Sequence, residues 1–227
     1  MAQANAKNSE LQSEYDALNE TALADKEALA QLEEETNLLL VQIGEIISVK
    51  TTLLEELQTE FSAHQLDAVI DTETGVITFD SNVLFDYNES TLTEDGEALL
   101  EVALSVYLPI LLKEEYRDYL SEIIIAGYTD AKGSYEYNLP LSWERAYAVA
   151  SYLLTVMDEF LSESEMQLLE DLLTVSGRSK SDPVLDENNE VDSEASRRVE
   201  IKFRLKDEEL LTQIQGILEG TAETAEE

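Results

Sequence analysis

The sequence predicts an α/β sandwich, with helices packed on one face of a mixed β-sheet, preceded by one long coiled-coil-like helix. Three observations lead there. Apolar residues recur in steps of four and three through the first sixty positions. Beyond them, short β-branched runs alternate with segments of helical periodicity in the order strand, helix, strand, helix, strand. Glycine and proline punctuate only the later region: Gly44 is the sole glycine before Gly75, and no proline precedes Pro109.

The first helix rests on Leu11, Tyr15, Leu18, Ala22, Asp25, Leu29, Leu32, Thr36, Leu39, Ile43, Ile46, Lys50, Leu53 and Leu57, of which eleven of fourteen are apolar. So narrow a stripe is buried by another helix, and a parallel homodimer is the simplest partner. Asp25, Thr36 and Lys50 on the seam weaken such a pair and set its register. The alternative is that the stripe folds back on its own globular domain. The expected organisation is a stalk over 1–60, a globular domain over 61–206, and a tail over 207–227 in which Leu210, Leu211, Ile214, Ile217 and Leu218 form an amphipathic helix before a disordered acidic end.

Within the globular part, Leu66 to Asp71 and Val76 to Phe79 bracket the turn formers Asp71 to Gly75 and predict a hairpin. Thr93 is a helix cap for a segment from Glu94 through Leu99, Leu100, Val102, Ala103 and Val106, which Pro109 should kink or break. Ile123 to Ala126, bounded by Gly127, reads as a buried strand. After it, Asp130, Gly133, Ser134 and Pro140 form a loop, and Ser142 is the expected cap of a helix starting near Trp143, with Ala146, Val149, Ala150, Leu153, Leu154 and Met157 inward. An acidic loop from Asp186 leads to a last strand over Val199 to Leu205.

Fifty acidic residues against fourteen basic give a net charge of −36, which repels phosphate backbones and excludes nucleic acid as a partner. There is no cysteine, and the single histidine, His64, lies in a polar stretch without catalytic partners. Phosphate-binding glycine loops and nucleophile elbows are absent from the sequence. The acidic loop lacks the central glycine of a calcium loop and has Arg197 at its twelfth position. Neither a cofactor nor a metal site is expected, and no enzyme activity. No unbroken run of about 18 apolar residues or signal peptide stands out, so nothing in the sequence as written would export or anchor it.

Five of the fourteen basic residues, Arg145, Arg178, Lys180, Arg197 and Arg198, fall in two short segments. Asp130 on the loop and Arg145 in the first turn of the expected helix suit a zwitterion, a carboxylate for an ammonium group and a guanidinium for a carboxylate. At that place Arg145 would oppose the helix macrodipole unless an anion sat at the same end. An isolated Asp and Arg would more simply pair with each other or with water.

The pattern TDxxGxxxYNxxLSxxRAxxVxxYL, carried by Thr129, Asp130, Gly133, Tyr137, Asn138, Leu141, Ser142, Arg145, Ala146, Val149, Tyr152 and Leu153, resembles the peptidoglycan-binding signature of the OmpA, MotB and Pal family. The resemblance runs from about Ile77 to Leu205: VLFDYNESTLTEDGEALL resembles the family's opening segment, with a strand ending near Phe85, and GRSKSDPV with SRRVEIKF resembles its closing one. It implies a non-catalytic peptidoglycan anchor that holds the diaminopimelate of the stem peptide through Asp130 and Arg145, assisted by Thr129, Asn138 and Leu141. Arg197 and Arg198 either reach that ligand or brace the loop carrying Asp130. Two departures stand out, Tyr128 where the family commonly has His and Ser196 where it usually has Asn.

The resemblance further implies the cell envelope, on the wall-facing side of the cytoplasmic membrane, with a membrane helix ahead of this sequence and a MotA-like membrane partner in an ion-driven stator. A plain envelope tether and a protein-protein interaction module are the alternatives.

Overall fold

The computed structural model describes residues 2–64 and 69–206. The expected tail over 207–227 and the first residues of the expected hairpin arm lie outside the described residues. Two compact units divide the chain, residues 1–47 and the part from Ser48 onward. Helix α1 (Ala2–His64) contributes to both, and the expected boundary at residue 60 falls inside it.

In the first unit the seam residues Leu11, Tyr15, Leu18, Leu29, Leu32 and Leu39 are all exposed. Leu38, Leu40, Val41 and Ile47 are exposed too, off the seam, so apolar side chains there surround the helix instead of forming one stripe. By length and composition α1 contains a stretch able to cross a membrane. The stretch is not an unbroken apolar run: Leu, Val and Ile are dense around Gln42, Gly44 and Glu45, which interrupt it.

The second unit is built on a five-stranded sheet in the order β1-β2-β5-β3-β4, comprising β1 (Val69–Ile70), β2 (Ile77–Asp80), β3 (Leu120–Gly127), β4 (Leu173–Gly177) and β5 (Arg198–Leu205). Only β3 and β4 run parallel; the other neighbours are antiparallel, so the sheet is mixed as expected. Its helices are α2 (Ser81–Leu84), α3 (Glu94–Leu111), α4 (Glu114–Arg117), α5 (Tyr135–Val156), α6 (Glu163–Leu172) and α7 (Ser193–Ser196).

Alternation along the strands sorts the two faces. Ile123 and Ile125 of β3 and Val199, Ile201, Phe203 and Leu205 of β5 are buried on the face that α5 covers. The intervening residues Glu122, Glu200, Lys202 and Arg204 make a ladder on the other face, where Arg204 pairs with Glu122 at 2.7 Å and Arg198 with Glu200 at 2.7 Å.

The last turns of α1 close one side of this core. Leu53, Leu57 and Phe61 are buried, and Phe61 meets Tyr107 of α3 edge to face at 6.3 Å between ring centroids. Glu56 accepts hydrogen bonds from Lys113 Nζ and, at 2.7 Å, from Tyr116 Oη. Tyr107 is wholly buried and donates to the Gly75 carbonyl at 2.8 Å, tying α3 to the hairpin turn. In that turn Asp71 Oδ1 accepts from the backbone N–H groups of Glu73 and Thr74, and Gly75 takes φ of 72°, which glycine adopts without strain.

Three boundaries differ from expectation. The strand expected to end near Phe85 stops at Asp80, because the Asp80 side chain caps α2 by accepting from the Asn82 N–H at 2.8 Å. Pro109 lies inside α3, two residues before its end, where few further helical hydrogen bonds remain to be lost. The third change matters most for the site. Helix α5 begins at Tyr135, eight residues before the expected start, with Ser134 as its cap, and Pro140 sits inside it. Pro140 is the sixth residue of α5, where its missing N–H forgoes the one hydrogen bond to the Glu136 carbonyl while the helix runs on through it.

Candidate functional site

The parallel ends of β3 and β4 are paired at Gly127 and Gly177, and α5 crosses both at backbone contact. A Cβ on Gly127 would lie 2.1 Å from the Ser142 carbonyl oxygen, and one on Gly177 would lie 2.8 Å from the Trp143 nitrogen. These glycines bring the loop after β3 and the turn after β4 together over the start of α5.

Ser142 and Ser179 fasten that junction. Ser142 is not a cap but a buried residue of α5, whose Oγ donates to the Leu139 carbonyl and accepts from the Ser179 N–H, both at 2.9 Å. Ser179 holds a left-handed backbone at φ of 54°, donates its hydroxyl to the Tyr135 carbonyl at 2.9 Å, and accepts from the Thr129 N–H through its backbone carbonyl at 2.8 Å. Sequence reasoning passed over Ser179. Its only local signal is the position two residues after Gly177 in a serine-rich turn.

Between these segments and the loop after α2 lies a cavity of about 430 Å³. Thr129, Asp130, Asn138, Leu141, Arg145 and Arg197 line it, as do Asn82, Asp86, Tyr87, Asn88, Lys132, Gly133 and Tyr137. Three cations against two carboxylates make this wall locally positive within a chain of net charge −36. The sequence reasoning missed the contribution of residues 82–88, whose Asn-rich turn gave no periodic signal.

Arg145 lies in the third turn of α5, not the first, so the expected conflict with the helix macrodipole and its relief by an anion at the helix start do not arise. The residue is 5% exposed. Its Nε donates to the Glu89 carbonyl at 2.9 Å, and its guanidinium carbon stands 5.2 Å from the centre of the Phe85 ring. Among the described residues it has no carboxylate within ion-pair distance. Burial first, then the Arg197 charge, lower its pKa, while Asp130 acts in the opposite direction. An arginine so placed keeps its proton at neutral pH and remains an incompletely neutralised buried cation.

Asp130 is more fully engaged. Its Oδ2 accepts from Arg197 Nη1 at 3.0 Å and its Oδ1 from the Lys132 N–H at 3.1 Å. Asn138 stabilises the same loop by donating to the Lys132 carbonyl at 2.6 Å, and Lys180 donates to the Gly133 carbonyl at 2.9 Å. Arg197 braces Asp130 and also lines the cavity.

Arg198 holds the start of the Asp130 loop from elsewhere, its backbone carbonyl accepting from the Tyr128 N–H at 2.8 Å. It does not line the cavity but lies on the opposite face of the sheet, 3.9 Å above the Tyr128 ring, donating to Glu200 Oε1 and to the Ser196 and Asp182 carbonyls. Arg198 opens β5 on the face of Glu200 and Lys202, while Arg197 precedes the strand as the residue that ends α7. Tyr128 is thus the platform under Arg198. The hydroxyl of Ser196 accepts from the Val184 N–H at 3.0 Å and holds the incoming loop.

With this geometry in place, comparison with known proteins is decisive for the family. Residues 84–197, half of the chain, match the sequence profile of the OmpA family. The chain belongs to that family. The Zorya protein ZorB of Escherichia coli O139:H28 is 32% identical over 145 residues, covering 61% of this chain and 56% of that protein. Outer membrane protein A of Escherichia fergusonii is 28% identical over 145 residues, 64% of this chain and 52% of that one. The chain therefore spans little more than half the length of these curated relatives. Among solved structures, a MotB-like protein from Desulfovibrio vulgaris superposes with a TM-score of 0.51 at 22% identity, covering 72% of this chain and 95% of the other, which supports the fold of the OmpA-family domain.

Proposed function

We propose that the OmpA-family domain is a non-catalytic binding module that holds peptidoglycan by the zwitterionic end of a diaminopimelate residue in the stem peptide. The observation that carries this reading is Arg145, a buried guanidinium without a carboxylate partner among the described residues, in a cavity that Asp130 also lines. A ligand carboxylate completes the first group by charge-assisted hydrogen bonds, and the ligand ammonium approaches the second. Each such contact contributes about 1.5 to 3 kcal/mol. Arg197 holds the Asp130 carboxylate in place, Asn138 fixes the loop backbone, and Thr129 and Leu141 complete the wall.

The wall contact would tether a membrane complex in the cell envelope. Two weak sites act together if two chains pair through the exposed heptad seam of α1, since the second attachment is then intramolecular. The apolar girdle around Leu38 to Ile47 supports a membrane-facing setting for that region, in keeping with a stator of the MotB kind and its MotA-like partner. Retention on purified sacculi tests the reading. Asp130→Ala and Arg145→Ala should remain folded and lose retention, and a parent-like pellet for both variants would refute it.

A further inference from the structure

The sheet treats its two edges differently. At one, β1 is only two residues long, and so short an edge offers little to a foreign chain. At the other, β4 presents the five residues Leu-Thr-Val-Ser-Gly, all half-buried and without charge or proline. Natural sheets commonly protect such an edge with a charged side chain, a proline or a bulge, and β4 runs in unbroken register with β3. The Arg178 N–H donates to the Gly127 carbonyl at 2.9 Å, so by alternation the N–H and C=O groups of Val175 and Gly177 point away from β3. Among the described residues no hydrogen bond engages these outward groups. An unprotected edge with free donors and acceptors is a template for another strand.

We propose that β4 is the pairing edge of a symmetric dimer, in which β4 of a second copy adds antiparallel across a two-fold at Val175 and joins the two sheets into one. The charges flanking the strand select this occupant and this direction. Glu170 and Asp171 precede β4, and Arg178 and Lys180 follow it. A two-fold at Val175 sets Glu170 opposite Lys180 of the second copy and Asp171 opposite its Ser179, beside Arg178. The acidic end of each strand thus meets the basic end of the other, which offsets locally the repulsion between two chains of net charge −36. Parallel addition would bring like charges together. Val175 exchanges two backbone hydrogen bonds with its counterpart, and Gly177 donates to the Leu173 carbonyl at each end, about four bonds in all. The same two-fold keeps both helical layers on one side of the joined sheet, where Trp143, over Gly177 and stacked on Tyr147, has exposed surface at this edge. No residue of β4 lines the cavity, so pairing leaves it open, and the contact is independent of the α1 seam.

The chain has no cysteine, so introduced thiols report this contact without background. In the proposed register Thr174 of one copy faces Ser176 of the other in a non-hydrogen-bonded pair, with Cα atoms about 4.5 Å apart and within disulfide reach. Full chains carrying Thr174→Cys, mixed with chains carrying Ser176→Cys and left to exchange, should form a covalent dimer on mild oxidation. Either variant alone should not, because identical positions are then two residues out of register, about 8 Å apart. Arg178→Glu in both chains should slow the crosslink about tenfold, and adding Asp171→Arg should restore it. A purely structural role for Arg178, through its ion pair with Asp182, would not be rescued in this way. No crosslink in the mixture would overturn the pairing. Equal crosslinking of either variant alone, or a crosslink indifferent to Arg178→Glu, would overturn it as well.

Discussion

Asp130 and Arg197 form an ion pair at 3.0 Å on the cavity wall, which leaves Arg145, on the same cavity, without a carboxylate among the described residues. The pair is partly exposed, so its own contribution to stability is about 0 to 1 kcal/mol. Its value is orientation. Arg197→Ala should therefore leave the urea midpoint nearly unchanged while weakening stem-peptide binding several-fold, less than the loss caused by Arg145→Ala. Equal losses from the two variants would place Arg197 on the ligand itself.

Gly127→Ala should destabilise the domain by about 1 to 3 kcal/mol or more, because the new methyl meets the backbone carbonyl of Ser142 and not a side chain that can move. Equilibrium urea unfolding measures it. An unchanged midpoint would mean that α5 does not cross β3 at backbone contact.

Leu57 and Leu32 separate the two parts of α1. Leu57 is fully buried in the globular unit, so Leu57→Ala should cost about 2 to 5 kcal/mol of unfolding free energy. Leu32 is exposed, so Leu32→Ala should leave that unfolding unchanged and lower self-association in sedimentation if copies pair along the seam.

Glu200 links stability to pH. Burial works against its charged form, but the hydrogen bond and charge of Arg198, aided by Lys202, prevail and hold its pKa below the ordinary value of 4.5. A carboxyl depressed on folding stabilises above its unfolded pKa and loses that contribution as pH falls through the lowered folded value. The difference in unfolding free energy between parent and Glu200→Gln should thus be largest near neutrality and shrink below pH 4.5. A difference that grows on acidification would contradict the assignment.

The sequence made the architecture legible where periodicity was strong. The β-branched run at Ile123, the Thr93 cap and the inward stripe from Ala146 to Met157 all appear as expected. Proline misled the reading of α5, since Pro140 was placed in the loop although the helix runs through it; Ser134, the true cap, lay six residues earlier. Helix α6 was overlooked although Ser162 and Glu165 carry the spacing of a capping box, which the structure has. The site was legible as a list of charges but not as a set of pairs. That Asp130 joins Arg197 depends on β5 lying beside β3, a long-range fact that no local pattern contains. The same pairing sends Arg198 to the far face.

The most direct measurement is calorimetric titration of the parent and Arg145→Ala with a stem tripeptide ending in diaminopimelate and with its lysine counterpart, which lacks the side-chain carboxylate. The account predicts that losing the carboxylate or losing the guanidinium weakens binding about tenfold or more, and that losing both costs little beyond either alone. Equal affinity of the parent for the two peptides, or an Arg145→Ala variant that binds diaminopimelate as the parent does, would contradict it.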